Sequence, residues 1–215
     1  MKLVSVNVGL PREITWNGKT VTTGIFKTAV DGPVELRRHN LDGDRQADLS
    51  VHGGPTKAVY VYPNQHYEYW QKELPDLDLP WGSFGENFTV EGMDEDIVCI
   101  GDEFRVGQAK LVVTEPRLPC FKLGVKFDRG DMVKRFLVSQ RSGFYFGVVD
   151  EGRLQAGDDV ERLSQHPAGL SVAEVIRLYT TEKENVALLN KAISVSALPA
   201  GWRGRSQHQL ERLER

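Results

Sequence analysis

The sequence predicts a mainly β (α+β) protein in which a closed or nearly closed antiparallel β-barrel with peripheral helices is followed by a small helical domain. Residues 2–8 place Val4, Val6 and Val8 on one face, and residues 110–114 alternate in the same way. This period of two is typical of strands, and the glycines that separate such segments are typical of the turns of an all-β domain. After residue 165 the apolar period becomes 3.6, which indicates helices. The predicted domains are therefore residues 1–165 and residues 166–215.

Two helices are expected within the first domain. One begins at Pro63, because proline is tolerated in the first turn of a helix, and runs through Tyr67 and Trp70. The other covers residues 132–138. Both are predicted to lie outside the barrel.

The second domain is predicted to contain three helices. Ser171 with Glu174, and Thr181 with Glu184, have the spacing of capping boxes, so each pair is expected to begin a helix. A third helix is expected over residues 202–213. Because capped amphipathic helices mainly form cores, we interpret this tail as a packing or dimerisation element without chemistry.

Composition favours small-molecule partners. The 215 residues carry a formal net charge of −3, with 40% hydrophobic and 27% charged residues, which is ordinary for a globular protein. Direct nucleic-acid binding is not expected, since it needs a basic stripe, and no apolar run is long enough to span a membrane. Two cysteines are too few for a disulfide scaffold. We therefore expect a cytoplasmic protein.

Three segments combine glycine or proline with ionisable residues. The first, residues 43–59, contains His52, Gly53, Gly54 and Lys57. Backbone N–H groups of glycines can form an anion-binding nest, to which Lys57 and His52 add charge or hydrogen bonds. Such a turn is also common as a plain loop.

The second segment, residues 84–90, places Glu86 and Asn87 side by side before a strand. Together they offer the acceptors and donors that a pterin ring requires, although asparagine is also an ordinary turn residue. Near the start of a later strand, Arg141 and Ser142 form another polar pair.

The third segment, residues 114–123, holds Cys120 between two prolines and a short apolar stretch. The prolines stiffen the loop, and Arg117 is close enough in sequence for its charge to favour the thiolate. Cys99, by contrast, lies among Ile97, Val98 and Ile100 and is interpreted as a buried strand residue.

The order of several motifs identifies a family resemblance. They are HGGPxKAV, FGENFTVEG, IGDEFRVG, EPRLPCFKL and GFYFGVVDEGRLQAGD. Residues 1–163 resemble the MOSC domain, named for the C-terminal domain of molybdenum cofactor sulfurase. The helical tail resembles the small domain that follows MOSC barrels in bacterial 6-hydroxylaminopurine resistance proteins.

This resemblance implies a cofactor and an activity. Cys120 is the implied ligand of molybdenum in a molybdenum cofactor (molybdopterin), and a soft thiolate suits that role. The implied reaction is a detoxification, the reduction of N-hydroxylated compounds such as 6-hydroxylaminopurine to the amine and water. His52 is the candidate proton donor, with Glu86 or Asp48 behind it. The candidate cofactor-binding residues are Gly53, Gly54, Lys57, Glu86, Asn87, Arg117, Arg141 and Ser142.

Partners follow from what the sequence lacks. It has neither a ferredoxin-like cysteine cluster nor a dinucleotide-binding fingerprint, so electrons are expected from a separate reductase. A homodimer is expected from the frequency of symmetric dimers among small enzymes.

Other functions are compatible with the same cysteine. Cys120 could carry a persulfide as a sulfur carrier or transferase, or the protein could bind the molybdenum cofactor without catalysis. A cysteine hydrolase using Cys120 and His52, or a zinc site from His39, His52, His66 and Cys120, lacks the expected local spacing.

Overall fold

A computed structural model describes residues 1–47 and 53–215. Its strands are β1 (Lys2–Val8), β2 (Arg12–Trp16), β3 (Lys19–Thr23), β4 (Thr28–Ala29), β5 (Val34–Leu36), β6 (Val59–Pro63), β7 (Phe88–Glu91), β8 (Glu103–Val106), β9 (Ala109–Pro116), β10 (Phe144–Asp150), β11 (Gly152–Leu154) and β12 (Val160–Ser164). Its helices are α1 (Gln65–Glu73), α2 (Phe121–Phe127), α3 (Met132–Ser139), α4 (Val172–Thr180), α5 (Val186–Ser194) and α6 (Ala200–Leu213).

The main sheet has eight strands in the order β12-β8-β9-β10-β6-β7-β1-β4. It is mixed, because β6 and β7 run parallel while the other pairs are antiparallel. An isolated bridge between Lys2 and Asp159 joins the start of β1 to the residue before β12. The predicted α+β class is confirmed, but the described strand pairings form an extended sheet without a closed ladder. Backbone hydrogen bonds from Gly157 to Leu3, from Leu3 to Asp158 and from Val160 to Met1 accompany the bridge.

The C-terminal helices pack on the sheet. One cluster of buried residues includes Phe104 and Leu111 from the sheet together with Val172, Val175 and Leu188 from the helices. A second, aromatic cluster joins α1 and α3 through Trp70 and Phe136, whose rings stack at 5.8 Å. Among the described residues, no helix combines the length and apolar character needed to cross a bilayer.

The predicted helices are present with changes at the ends, but the count of two in the first domain is wrong, because α2 (Phe121–Phe127) is a third helix there. Residues 132–139 are helical, and the third tail helix begins at Ala200. Pro63 does not begin a helix: it pairs with Val90 as the last residue of β6, and α1 starts at Gln65. The predicted helix start at Pro63 is therefore wrong. Proline is allowed both at the end of a strand and in the first turn of a helix, and here it belongs to the strand.

The two predicted capping boxes differ in outcome. The Ser171 side chain accepts from the Glu174 N–H at 3.1 Å, and Glu174 accepts in return from the Ser171 N–H at 2.8 Å, so the first box is confirmed. The second is wrong, because Thr181 ends α4 and Asn185 caps α5 by accepting from the Leu188 N–H at 3.1 Å.

Ser171→Ala is expected to lower the free energy of unfolding by about 1 kcal/mol, because the mutation leaves the Glu174 N–H in the first turn of α4 without its acceptor. Urea denaturation measures the loss. Ser194→Ala is the control, since this exposed serine donates only to the Lys191 carbonyl at the end of α5. Equal losses in the two variants would contradict the assigned cap.

Candidate cofactor-binding site

Cys120 lies where the loop after β9 turns into α2. It is the residue before the first turn of α2, with extended backbone (φ −118°, ψ 175°), and it is partly buried. The loop is held to β10, because the Arg117 N–H donates to the Gly143 carbonyl at 3.2 Å and Pro116 pairs with Phe144. The cysteine that the sequence predicts in a loop therefore has a fixed place at the end of the sheet, where it is partly buried.

Cys120 forms part of the wall of a cationic cleft. No carboxylate lines this cleft among the described residues. Its five cationic lining residues are Lys27, Arg45, Lys57, Arg117 and Lys122. This concentration of positive charge stands out in a chain of net charge −3. The enclosed volume is about 90 Å³, so a cofactor-sized ligand would extend into its open mouth. The cleft is suited to an anionic ligand.

Arg117 is a buried cation of this cleft, with 6% of its surface exposed. Its guanidinium lies 5.0 Å from the centre of the Tyr60 ring and 4.8 Å from that of Phe136. Its Nη1 atom is buried and has no hydrogen-bond acceptor among the described residues. A buried N–H without a partner is costly, so this atom is available to an acceptor supplied by a ligand.

The groups around Arg117 keep it charged. Burial disfavours the charged guanidinium, but the neighbouring Tyr60, Tyr145 and Cys120 outweigh it and leave the pKa of Arg117 above its ordinary value. Burial also raises the pKa of Tyr145 to about 12, against the opposing charge of Arg117. Tyr145 therefore keeps its hydroxyl proton at neutral pH.

A buried network supports one side of the cleft. Lys27 and Asp44 form an ion pair, and the Asn87 side chain donates to Asp44 at 2.9 Å and accepts from the Tyr60 N–H at 3.1 Å. Burial lowers the pKa of Lys27, although Asp44 opposes the shift. Asn87, predicted as a pterin-binding residue, thus lines the cleft while bracing three segments of the chain.

Glu86 is placed differently from its neighbour. Its carboxylate is fully buried and accepts from the Gly82 N–H at 2.8 Å, the Phe84 N–H at 3.1 Å, the Thr89 hydroxyl at 3.0 Å and the Tyr67 hydroxyl. It is absent from the described lining of the cleft. These contacts indicate a structural role for Glu86.

Glu86→Ala is expected to lower the free energy of unfolding by about 3 kcal/mol, because several buried donors lose their acceptor at once. The measurement is urea unfolding of the cofactor-free protein. Glu91→Ala, at an exposed carboxylate at the end of β7, is the control and should change stability by less than about 0.5 kcal/mol. A loss for Glu86→Ala as small as that of the control would refute the structural role.

The other predicted residues divide into two groups. Lys57, Asn87, Arg117 and Cys120 meet at the cleft. Arg141 instead lies over the Tyr69 ring at 3.9 Å, and the Ser142 hydroxyl donates to the Gly143 carbonyl. Gly53, Gly54, Arg141 and Ser142 are not among the described lining residues. His52 and Asp48 lie outside the described residues.

The cleft also contains residues that the sequence analysis did not select. Arg45 and Lys122 belong to the singled-out segments, so proximity to Lys57 and Cys120 in sequence was an available signal. Lys27 and Tyr60 had no such signal, because Lys27 lies in the loop before β4 and Tyr60 lies in β6, and only the tertiary structure brings them together.

The proposed zinc alternative gains no support. Among the described residues, the group able to hold a metal by its His, Cys and acidic ligands consists of His66, Asp94 and Glu95. His66 Nε2 lies within hydrogen-bond distance of the buried Glu95 carboxylate, at 2.8 Å, and neither residue lines the cleft of Cys120. His39 is exposed.

The cleft residues fit a pterin cofactor that carries a phosphate and a metal. The unpartnered Arg117 Nη1 and the surrounding lysines match anionic oxygens, and the thiol of Cys120 matches a soft metal. The fold and the site together describe an α+β protein in which a cysteine lies on the wall of a cation-lined cleft at the end of a mixed sheet.

The chain belongs to the MOSC domain family, whose pattern matches residues 48–161. It is 41% identical over 211 residues to the uncharacterised protein YflK of Bacillus subtilis, a match that covers 98% of this chain and 95% of YflK. The crystal structure of YiiM from Geobacillus stearothermophilus is similar with a TM-score of 0.81 and 34% identity, covering 97% of this chain and 98% of that one. A Gibberella moniliformis protein named a reductase is 35% identical over 175 residues; the match covers 80% of this chain but 31% of that protein.

Proposed function

We propose that this protein is a molybdenum-cofactor-dependent reductase of N-hydroxylated compounds such as 6-hydroxylaminopurine. The observation that carries the proposal is the cation-lined cleft, in which Cys120 lies beside the buried, unpartnered Arg117 Nη1. Membership of the MOSC family and the reductase name of one relative support the same class of reaction. We also propose that the strands form a MOSC-type β-barrel. The Lys2–Asp159 bridge supports a barrel because it joins the start of β1 to the residue before β12.

The reaction must balance two electrons and two protons. The N–O bond of the hydroxylamine breaks, the nitrogen keeps the electron pair as the amine, and the oxygen leaves as water. The cofactor, when bound, supplies the two-electron step. A separate reductase supplies these electrons in turn. We also propose that the protein is a homodimer and that each chain has two domains, residues 1–165 and 166–215.

The residues of the chain have three tasks. Cys120 holds the metal through its thiolate. Arg117, Lys57, Lys122 and Arg45 bind the anionic oxygens of the cofactor by charge-assisted hydrogen bonds. His52 is retained as the proposed proton donor, because its ordinary pKa lies near neutral pH.

The proposal is tested by anaerobic reconstitution of the full chain with molybdenum cofactor, followed by 6-hydroxylaminopurine turnover with a chemical reductant. Formation of the amine in proportion to bound molybdenum is the expected result. Stoichiometric cofactor binding with no turnover would favour a cofactor carrier. Accumulation of a persulfide on Cys120 without cofactor binding would favour sulfur transfer.

A further inference from the structure

A two-part cavity lies beside the cationic cleft, between the sheet and α6. Its inner part, about 280 Å³, adjoins Cys120 and shares Lys57, Leu118 and Tyr145 with the cleft. Its outer part, about 370 Å³, extends along the first turn of α6 past Gly201. Lys57, Glu115, Leu118 and Trp202 line both parts. The two parts together are here called the Trp202 compartment.

Trp202 brings the C-terminal helices to this site. Its indole N–H donates to the Glu115 carboxylate at 2.9 Å, and its ring meets the edge of Tyr179 at 6.1 Å. The indole is partly buried and lines both parts of the compartment. An aromatic ring anchored in this way is a stacking surface for a flat ligand.

Glu115 gives the compartment its polar group. It is 5% exposed and accepts from the Thr56 hydroxyl at 2.9 Å as well as from Trp202, and Lys57 Nζ lies 3.8 Å from it. A carboxylate has about four acceptor positions, so it retains capacity for an N–H donor from a ligand.

The two neighbouring spaces therefore have different chemistry. The cleft on one side of Cys120 is lined by five cations with no carboxylate among the described residues, whereas the Trp202 compartment combines an indole, a leucine and a buried carboxylate with the cations Lys57 and Arg205. An anionic cofactor matches the first space. A flat heteroaromatic molecule with N–H groups matches the second.

We propose that the Trp202 compartment binds the substrate of the reductase, a planar N–H-bearing heteroaromatic N-hydroxylamine. Its ring stacks on Trp202, its N–H groups donate to Glu115, and its hydroxylamine points towards Cys120. This inference rests on the proposed function for the reaction but makes its own prediction about binding.

Two glycines of α6 offer a matched test of this inference. A Cβ atom added at Gly201 or at Gly204 meets no atom within 4 Å, so both positions have room for the first carbon of a side chain. Of these two glycines, Gly201 is among the described lining residues of the compartment and Gly204 is not. Gly201→Leu fills the compartment from a helix position, and Gly204→Leu places the same side chain elsewhere on that helix.

The experiment is calorimetric titration of adenine, the amine product from 6-hydroxylaminopurine, into the oxidised, cofactor-loaded full chain. Gly201→Leu is expected to weaken adenine binding more than tenfold, and Trp202→Leu about tenfold or more through lost stacking. Gly204→Leu should bind like the wild type. Thermal unfolding of each variant shows whether it is folded.

Two results would overturn the proposal that the compartment binds the substrate. One is the absence of adenine binding by the wild type, and the other is equal binding by the wild type and the folded Gly201→Leu variant. Failure of the reductase proposal has a different signature: the wild type would not turn over 6-hydroxylaminopurine, while adenine binding would still depend on Gly201. Where turnover occurs, Gly201→Leu should raise KM more than it lowers kcat.

Discussion

Cys120→Ser is expected to reduce the rate of 6-hydroxylaminopurine reduction by more than about 100-fold, because residues that merely support metal ligands already change activity by about 10- to 100-fold. The substitution replaces a soft sulfur by a hard oxygen while keeping nearly the same side-chain shape. Molybdenum content per chain and turnover are measured after anaerobic reconstitution. Both should fall together if the thiolate holds the metal.

Cys99→Ala is the control for this result. Cys99 is 5% exposed, burial raises the pKa of its thiol, and it does not line the cleft. This variant should keep wild-type molybdenum content and a rate within about twofold of wild type, since its site is remote from the chemistry. Wild-type turnover by Cys120→Ser would remove Cys120 from the reaction.

Arg117→Met is expected to weaken binding of the cofactor about 10- to 100-fold, which corresponds to the 1.5–3 kcal/mol of a hydrogen bond to a charged group. Methionine retains an apolar stem between Tyr60 and Phe136 but removes the unpartnered Nη1. The dissociation constant of the cofactor is the quantity to measure. A value equal to that of the wild type would show that Arg117 does not contact the ligand.

The same variant should retain its stability without cofactor. Removal of a buried, unpartnered N–H relieves a cost of about 1–3 kcal/mol, whereas the lost ring contacts contribute about 0.5–2 kcal/mol, so the two effects nearly cancel. We expect urea unfolding to change by less than about 1 kcal/mol. Arg129→Met, at an exposed arginine paired with Asp131, is the control for cofactor affinity. A large stability loss for Arg117→Met would indicate a structural arginine.

Part of the candidate site could be predicted because its residues are close in sequence. Arg117, Cys120 and Lys122 occur within six residues, and a proline-rich loop gives them a common position. Lys57 and Asn87 came from motifs whose glycines and amides mark turns beside strands. Glu86 shows the limit of such reasoning, since adjacent residues before a strand face opposite sides and only Asn87 reaches the cleft.

Helix ends were predictable where only local groups decide them. The reciprocal contacts of Ser171 and Glu174 lie within one turn, and the pattern found them. By local sequence rules, either Thr181 or Asn185 could cap α5. Asn185 does so, because Thr181 is at the end of α4. The secondary structure of Pro63 depends on its pairing with Val90 in the sheet, and the local sequence around Pro63 does not predict that pairing.

The sequence by itself determined the α+β class, the change from strands to helices near residue 165, and the placing of a loop cysteine among cationic residues, because periodicity and turn chemistry are local properties. Only the tertiary structure decided which charges meet. Tertiary packing brought Lys27, from the loop before β4, and Tyr60, from β6, to the cleft of Cys120, and packing of α6 on the sheet brought Trp202 to Glu115. Contacts between residues 87 positions apart depend on how elements pack, and a single sequence does not state that packing.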